Sequence, residues 1–164
     1  MAMRLVGPLQ DRDAWAADAC SAARTLDILA TKASFLVVRE LFYGTTRFDD
    51  FVRRVGTSAP TIARALSRLE DAGVIARTPY RTDGHRARDE YRLTEAGEEL
   101  LPVIMALIQW GDAHLQPDGP PLRFHDVTTQ QQVRVALVAT PDTPQLESRQ
   151  IQVAVHSPAG RANS

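Results

Sequence analysis

Apolar residues along the chain recur first at helical and later at strand spacing. In 11–30, Trp15, Ala19, Ala22, Leu26 and Leu29 recur every three or four residues, which predicts a helix capped by Asp11 or Asp13. A second helix is predicted over 34–43, with Phe35, Val38, Leu41 and Phe42 apolar and Gly44 closing it. A third, short one covers 49–55, with Asp49 as cap, Phe51, Val52 and Val55 inward and Gly56 as breaker. Ser58 then suits an N-cap whose hydroxyl takes an amide of the next first turn, where Pro60 loses no hydrogen bond. That fourth helix buries Ile62, Leu66 and Leu69, turns Thr61, Arg64 and Arg68 to other faces, and ends at Gly73.

After Gly73 the period drops to two. Residues 74–78 and 88–93 read as a hairpin around Asp83-Gly84, with Arg81, His85, Arg86 and Arg88 in or beside its loop. A long helix is predicted over 94–115, and its apolar surface from Leu100 to Leu115 is wide enough to imply a subunit interface. Residues 116–121 form a Pro/Gly linker. Strand-like alternation returns in 132–139 and 150–156, with a shorter candidate at 122–125, and 157–164 carry no pattern. The expected organisation is an N-terminal tail (1–10), a helical and hairpin domain with flanking helices (11–115), the linker, a small β-unit (122–156) and a disordered tail (157–164).

Charge adds a location to this pattern. The whole chain carries a net −1, yet 53–92 holds nine Arg against five acids, a local +4, so the rest must sum to −5. The candidate anion-facing surface therefore lies mid-chain. All but one of the nineteen cationic residues are Arg (Lys32 is the exception), the side chain that forks phosphates and guanine edges, although a GC-rich genome produces the same bias. The longest apolar run, 100–108, is far short of the about 20 residues a bilayer requires, so no membrane span is expected. No secretion signal is visible in the first ten residues, and a cytoplasmic protein is expected. The single cysteine, Cys20, excludes an intrachain disulfide and a multi-cysteine zinc site. His85, His114, His125 and His156 are scattered, so neither a metal nor another cofactor is expected. No nucleophile–base pair, glycine-rich phosphate loop or HExxH run points to an enzyme, and the pairs Asp49-Asp50 and Glu98-Glu99 suit solvation.

Helix, short helix, glycine break, Ser-capped helix and basic hairpin together make a winged helix-turn-helix. The expected fold class is mainly α (α+β), a winged helix-turn-helix with helical dimerisation elements and a small C-terminal β-unit. The Ser-capped helix would present its first turn to a major groove about 12 Å wide, and the hairpin would reach the adjacent backbone. The expected DNA-binding residues are Ser58, Pro60, Thr61, Arg64, Arg68, Arg81, His85, Arg86 and Arg88. A winged helix used only for protein–protein contact is the alternative, against which the basic hairpin argues.

Several runs in order, Cys20-Ser-Ala-Ala-Arg-Thr-Leu-Asp-Ile-Leu, Phe35-Leu-Val-Val-Arg-Glu-Leu-Phe, Arg47-Phe-Asp-Asp-Phe, Leu69-Glu-Asp-Ala-Gly-Val and Glu90-Tyr-Arg-Leu-Thr, resemble an HxlR-type transcriptional regulator over about 18–115. The resemblance implies a homodimer bound to double-stranded DNA at a pseudo-palindromic operator. First and last helices would build the dimer, and in some members a thiol near the start of the first helix senses reactive molecules. A repressor released by a small-molecule or thiol-reactive effector is the expected behaviour. Cys20 fits either a small buried residue or such a sensor: Arg24, one turn on, favours the thiolate, and Asp18 and Asp27 oppose it.

Three departures from the family pattern matter. Ala33 stands where members usually carry a Trp, which opens room for an effector near the interface, with Trp110 as a candidate aromatic wall. The tail matches the layout of a zinc ribbon carried by some relatives but has no cysteine. The wing run Thr82-Asp-Gly-His lies where members vary, so DNA specificity does not carry over.

Overall fold

In the computed structural model, residues 20–80, 88–137 and 151–155 are described, with Asp11 and Asp13; for Tyr80, Arg88 and 151–155 the description is of backbone alone. The chain divides into two compact units, Met1–Arg92 and Leu93–Ser164.

In the first unit the helices are α1 (Ser21–Leu29), α2 (Lys32–Phe42), α3 (Phe48–Val55) and α4 (Ala59–Asp71). They lead into a two-stranded sheet of β1 (Ile75–Tyr80) and β2 (Arg88–Leu93). Helix α2 begins where the Thr31 hydroxyl accepts the Ser34 amide at 3.0 Å. Its buried stripe is Ala33, Ser34, Val37, Val38 and Leu41. The predicted stripe was rotated: Phe35 and Phe42 are only half-buried. Small Ala33 and Ser34 let the helices approach, and the Ser34 hydroxyl is satisfied by Thr31 at 2.8 Å. Glu40 is buried too. It is compensated by Arg39 at 2.8 Å and the Thr45 hydroxyl at 3.2 Å, and Arg54 of α3 donates to that hydroxyl at 2.7 Å.

Helix α3 is short and strongly amphipathic, and Phe51 is its fully buried residue. Arg47, not Asp49, precedes its first turn, so the two acids lie inside that turn, where they favour the positive helix end. Gly56 closes it at φ +70, a left-handed value that only glycine adopts without strain. Helix α4 buries Ile62, Ala65, Leu66 and Leu69 at helical spacing, as its pattern predicts, and Gly73 turns the chain at φ +71. The Phe51 ring meets Tyr91 of β2 edge-on, with centroids 6.2 Å apart and planes at 74°. The Tyr91 amide donates to the Thr46 carbonyl at 2.9 Å, and Arg47 forms a β-bridge with Glu90. The sheet is thereby anchored to the residues that start α3.

The first predicted helix is shorter than its pattern suggests. Cys20, with extended backbone, precedes α1, and the Asp13 amide donates to the Asp11 carboxylate in a local turn. Trp15 and Ala19 lie outside the described residues, as does the Asp83-Gly84 turn.

In the second unit the predicted long helix is two. α5 (Glu95–Glu98) is capped by the Thr94 hydroxyl on the Gly97 amide at 3.1 Å, and α6 spans Leu101–His114. Pro102 falls in the first turn of α6, where its missing N–H is harmless; a continuous helix would have needed that amide. Strand β3 (Leu122–Asp126) pairs antiparallel with β4 (Ile151–Val155) in the register Leu122↔Val155, Phe124↔Val153, Asp126↔Ile151.

Residues 132–137 are not a strand, contrary to their alternation. They touch β3 through a bridge from Gln132 to His125 and a 2.8 Å bond from the Val133 amide to the Phe124 carbonyl. The segment then meets α6, where Gln109 replaces a strand partner. Its side-chain amide donates to the Val135 carbonyl at 3.2 Å and accepts the Val135 amide at 3.0 Å. One side chain satisfies both groups of one residue, so no ladder extends.

Two expectations follow. Phe51→Ala should cost about 3–5 kcal/mol in urea denaturation, and Gly56→Ala about 1 kcal/mol, since nothing crowds a Cβ there and only the backbone resists. In the second unit, the Asp126 carboxylate accepts the Thr128 and Thr129 amides at 2.7 Å each. The Thr129 amide chiefly, against a desolvation cost, holds that carboxyl below its ordinary value of 3.8. The ionised form therefore favours the turn, whose stabilisation is complete above the ordinary carboxylate range and lost as pH falls through the lowered value. In an NMR titration both threonine amides should shift with a midpoint below 3.8; a midpoint above it contradicts the assignment.

Candidate nucleic-acid interface

The buried stripe of α4 fixes what the opposite side presents. With Ile62, Ala65, Leu66 and Leu69 inward, Pro60, Ala63, Arg64, Ser67 and Arg68 are exposed. The spacing of 60, 64, 67 and 71 is that of one helical face. Ala63 and Ser67 were not singled out in the sequence, although the complement of the apolar stripe marks them. Both are small, so nothing on that side hinders close approach of a double helix between the two arginines. Asp71 closes the exposed side with a negative charge, so the field on that side favours an anion only toward the N-terminal part.

Ser58 occupies the N-cap position with extended backbone, and its carbonyl accepts the Thr61 and Ile62 amides at 3.0 and 3.1 Å. Its hydroxyl does not cap the helix, contrary to the sequence expectation. It pairs instead with the Thr61 hydroxyl at 2.8 Å. Both hydroxyls lie at the positive end of the helix macrodipole, where an anion is favoured.

The arginines divide into two groups. Arg39 pairs with Glu40, Arg53 with Asp50 and Arg92 with Glu90, all at 3.1 Å or less. Arg77 bridges Glu70 of α4 and Asp89 of β2 at 3.3 and 3.7 Å. That tie sets the sheet against the helix, although such exposed pairs contribute at most about 1 kcal/mol. Arg54 reaches Thr45. Among the described residues, Arg64 and Arg68 make no ion pair and stay in solvent on α4. Of the arginines behind the local +4 of the sequence, Arg53, Arg77 and Arg92 are thus tied to acids, whereas Arg64 and Arg68, among the described residues, are tied to none. Arg81, His85 and Arg86 lie outside the described residues, and of Arg88 only the backbone, opening β2, is described.

Of the three residues considered for an effector, Cys20 and Ala33 belong to the first unit and Trp110 to the second. Cys20 is half-buried at the start of α1, and Ala33 is buried in the first unit. Trp110 is exposed on α6, its ring tilted at 43° to that of His114 with centroids 5.0 Å apart, and borders a groove of about 670 Å³ formed wholly within the second unit. Among the described residues no cluster of three His, Cys, Asp or Glu side chains could hold a metal ion, and no helix is long and apolar enough to cross a membrane.

Known proteins agree with this arrangement. The model of the HxlR-like helix-turn-helix family matches residues 28–119. An uncharacterised HTH-type transcriptional regulator of Mycobacterium tuberculosis is 35% identical over 132 residues, 80% of this chain and 82% of its own. Among solved structures, the transcription factor PA1607 superposes with a TM-score of 0.68 at 31% identity, covering 84% of this chain and 96% of its own. The redox regulator HypR, in its oxidised form, gives 0.53 at 26% identity over 59% of this chain and 99% of its own. These relatives are named as regulators, not enzymes. The chain belongs to the HxlR-like helix-turn-helix family of transcriptional regulators.

Proposed function

We propose that this regulator binds a pseudo-palindromic operator as a homodimer, reading bases with the exposed side of α4, and that it is a repressor. The observation that carries the reading is the pair Arg64 and Arg68, left without an acidic partner among the described residues while Arg39, Arg53, Arg77 and Arg92 are neutralised. Guanidiniums one turn apart on an exposed helix match guanine edges and phosphates. Ser58, Pro60 and Thr61 stand at the end that would approach the backbone, with Arg81, His85, Arg86 and Arg88 of the wing on flanking phosphates. Two copies would place their α4 helices in successive major grooves, with half-sites about 10 bp apart. An effector, small or thiol-reactive, would release the DNA by altering the distance between the two α4 helices.

The dimer reading rests on α6. Val103 and Leu107, one turn apart, are 40% and 52% exposed, and Leu115 is exposed beyond them. Apolar side chains aligned this way gain by burial against a second copy.

Arg64→Ala should weaken specific binding by about 1–3 kcal/mol and relax base preference, whereas Arg86→Ala should weaken all duplexes alike and flatten the salt dependence. Arg53→Ala, which removes an already paired charge, should change little. Mobility shifts with the protein's own upstream DNA measure all three; wild-type binding by both Arg64→Ala and Arg86→Ala would make the assigned face wrong, and no shift by the unaltered protein would favour a protein-interaction module. Leu107→Glu should yield monomers in sedimentation velocity and lose operator affinity; an unchanged dimer would put the interface elsewhere.

A further inference from the structure

We infer that the groove of the second unit is a binding site for a small organic acid, with its apolar body between α6 and β3 and its acidic head at Arg123. The inference rests on the effector reading above and supplies its ligand class. At about 670 Å³ the groove has the capacity of a small-molecule site, which typically spans roughly 300–1,000 Å³. Its floor is dry: Met105 and Phe124 are buried, and Ile108 is half-buried beside them. These side chains present an apolar slab to a ring or a branched chain.

The charge around that slab is unbalanced. Arg123 and Arg134 both border the groove, and Asp112 is the one acid that does so. Burial pushes the Asp112 carboxyl up, while Arg123 draws it the other way. Asp112 is thus a half-buried carboxylate near Arg123, in the position that a ligand carboxylate would contest. A guanidinium accepts a second carboxylate through parallel hydrogen bonds, and a surplus cation next to an apolar slab suits an amphipathic acid.

The outer wall can yield. Residues 132–137 are held to β3 by the Val133–Phe124 bond and to α6 by the two bonds of Gln109 to Val135. Gln109 is exposed, and a side-chain clasp is released by rotamer change without breaking a sheet. Gln109 is therefore the tie between this wall and α6, the helix that also carries the apolar side proposed for the dimer. A ligand that spreads 132–137 from α6 would act on that helix directly.

Calorimetry on the full chain with diphenylacetate and its neutral counterpart diphenylacetamide tests the site. The acid should bind about tenfold tighter or better, a difference that an ion pair in a dry groove readily supplies. Asp112→Asn should tighten the acid several-fold and leave the amide unchanged; Arg123→Gln should reduce the acid to the level of the amide. Equal binding of acid and amide to the unaltered chain, no binding of either, or an acid preference that survives Arg123→Gln overturns the assignment. A mobility shift with and without diphenylacetate separates this from the effector reading. Binding that leaves the DNA complex intact keeps the groove and removes the release step, whereas release that persists in Arg123→Gln removes the groove.

Discussion

The ring of Phe51 is the point on which the first unit turns. Helix α3 is too short to hold itself in place, and its one fully buried side chain meets Tyr91 of β2 edge-on. That contact, with the Tyr91–Thr46 hydrogen bond and the Arg47–Glu90 bridge, fastens the sheet to the start of the helix-turn-helix. The two surfaces that a nucleic acid would meet, α4 and the wing, are thus referred to one buried aromatic contact. The buried Glu40, shared by Arg39 and Thr45, performs the same service at the other side of α3 through Arg54. A half-satisfied carboxylate there would be costly, so the set of partners is as strict a constraint as the apolar packing.

Charge in this protein is deployed twice. Arg77 spans an acid on α4 and another on β2, and Arg53 folds back on its own helix. These pairs hold geometry and leave little field outside. Arg64 and Arg68 have the same chemistry but sit where the packing of Ile62 and Leu66 points them into solvent. The difference between a paired and an unpaired arginine among the described residues is therefore a matter of which acids lie within reach.

The second unit organises a sheet without a single cysteine. Strand β3 supplies the edge for β4, and a glutamine on α6 stands in for the missing partner of 132–137. An antiparallel pair of five residues is marginal alone. Its support comes from the buried Phe124 and from the Asp126 turn, whose carboxylate holds two successive amides. The groove beside it is the consequence of a segment that bonds at its ends and leaves α6 uncovered between them.

Helix phase, turn chemistry and the wing order could be read in the sequence because each is local. Ile62, Leu66 and Leu69 at helical spacing, Gly56 and Gly73 at left-handed turns, and the switch to period two after Gly73 depend on backbone geometry within a few residues. The exposed side of α4 follows from the same periodicity, so Arg64 and Arg68 could be named without coordinates. Three-dimensional packing decided the rest. The Ser58 hydroxyl chose Thr61 over an amide, Pro102 began a new helix within the one predicted over 94–115, and the alternation of 132–137 went unrealised where Gln109, 26 residues distant from Val135, took both of its backbone groups. Which arginines are neutralised is likewise beyond periodicity, because Arg77 finds Glu70 and Asp89 only once helix and sheet have met. A linear pattern records preferences of neighbours along the chain, whereas competition for a hydrogen bond or an ion pair is settled between groups that only folding brings together.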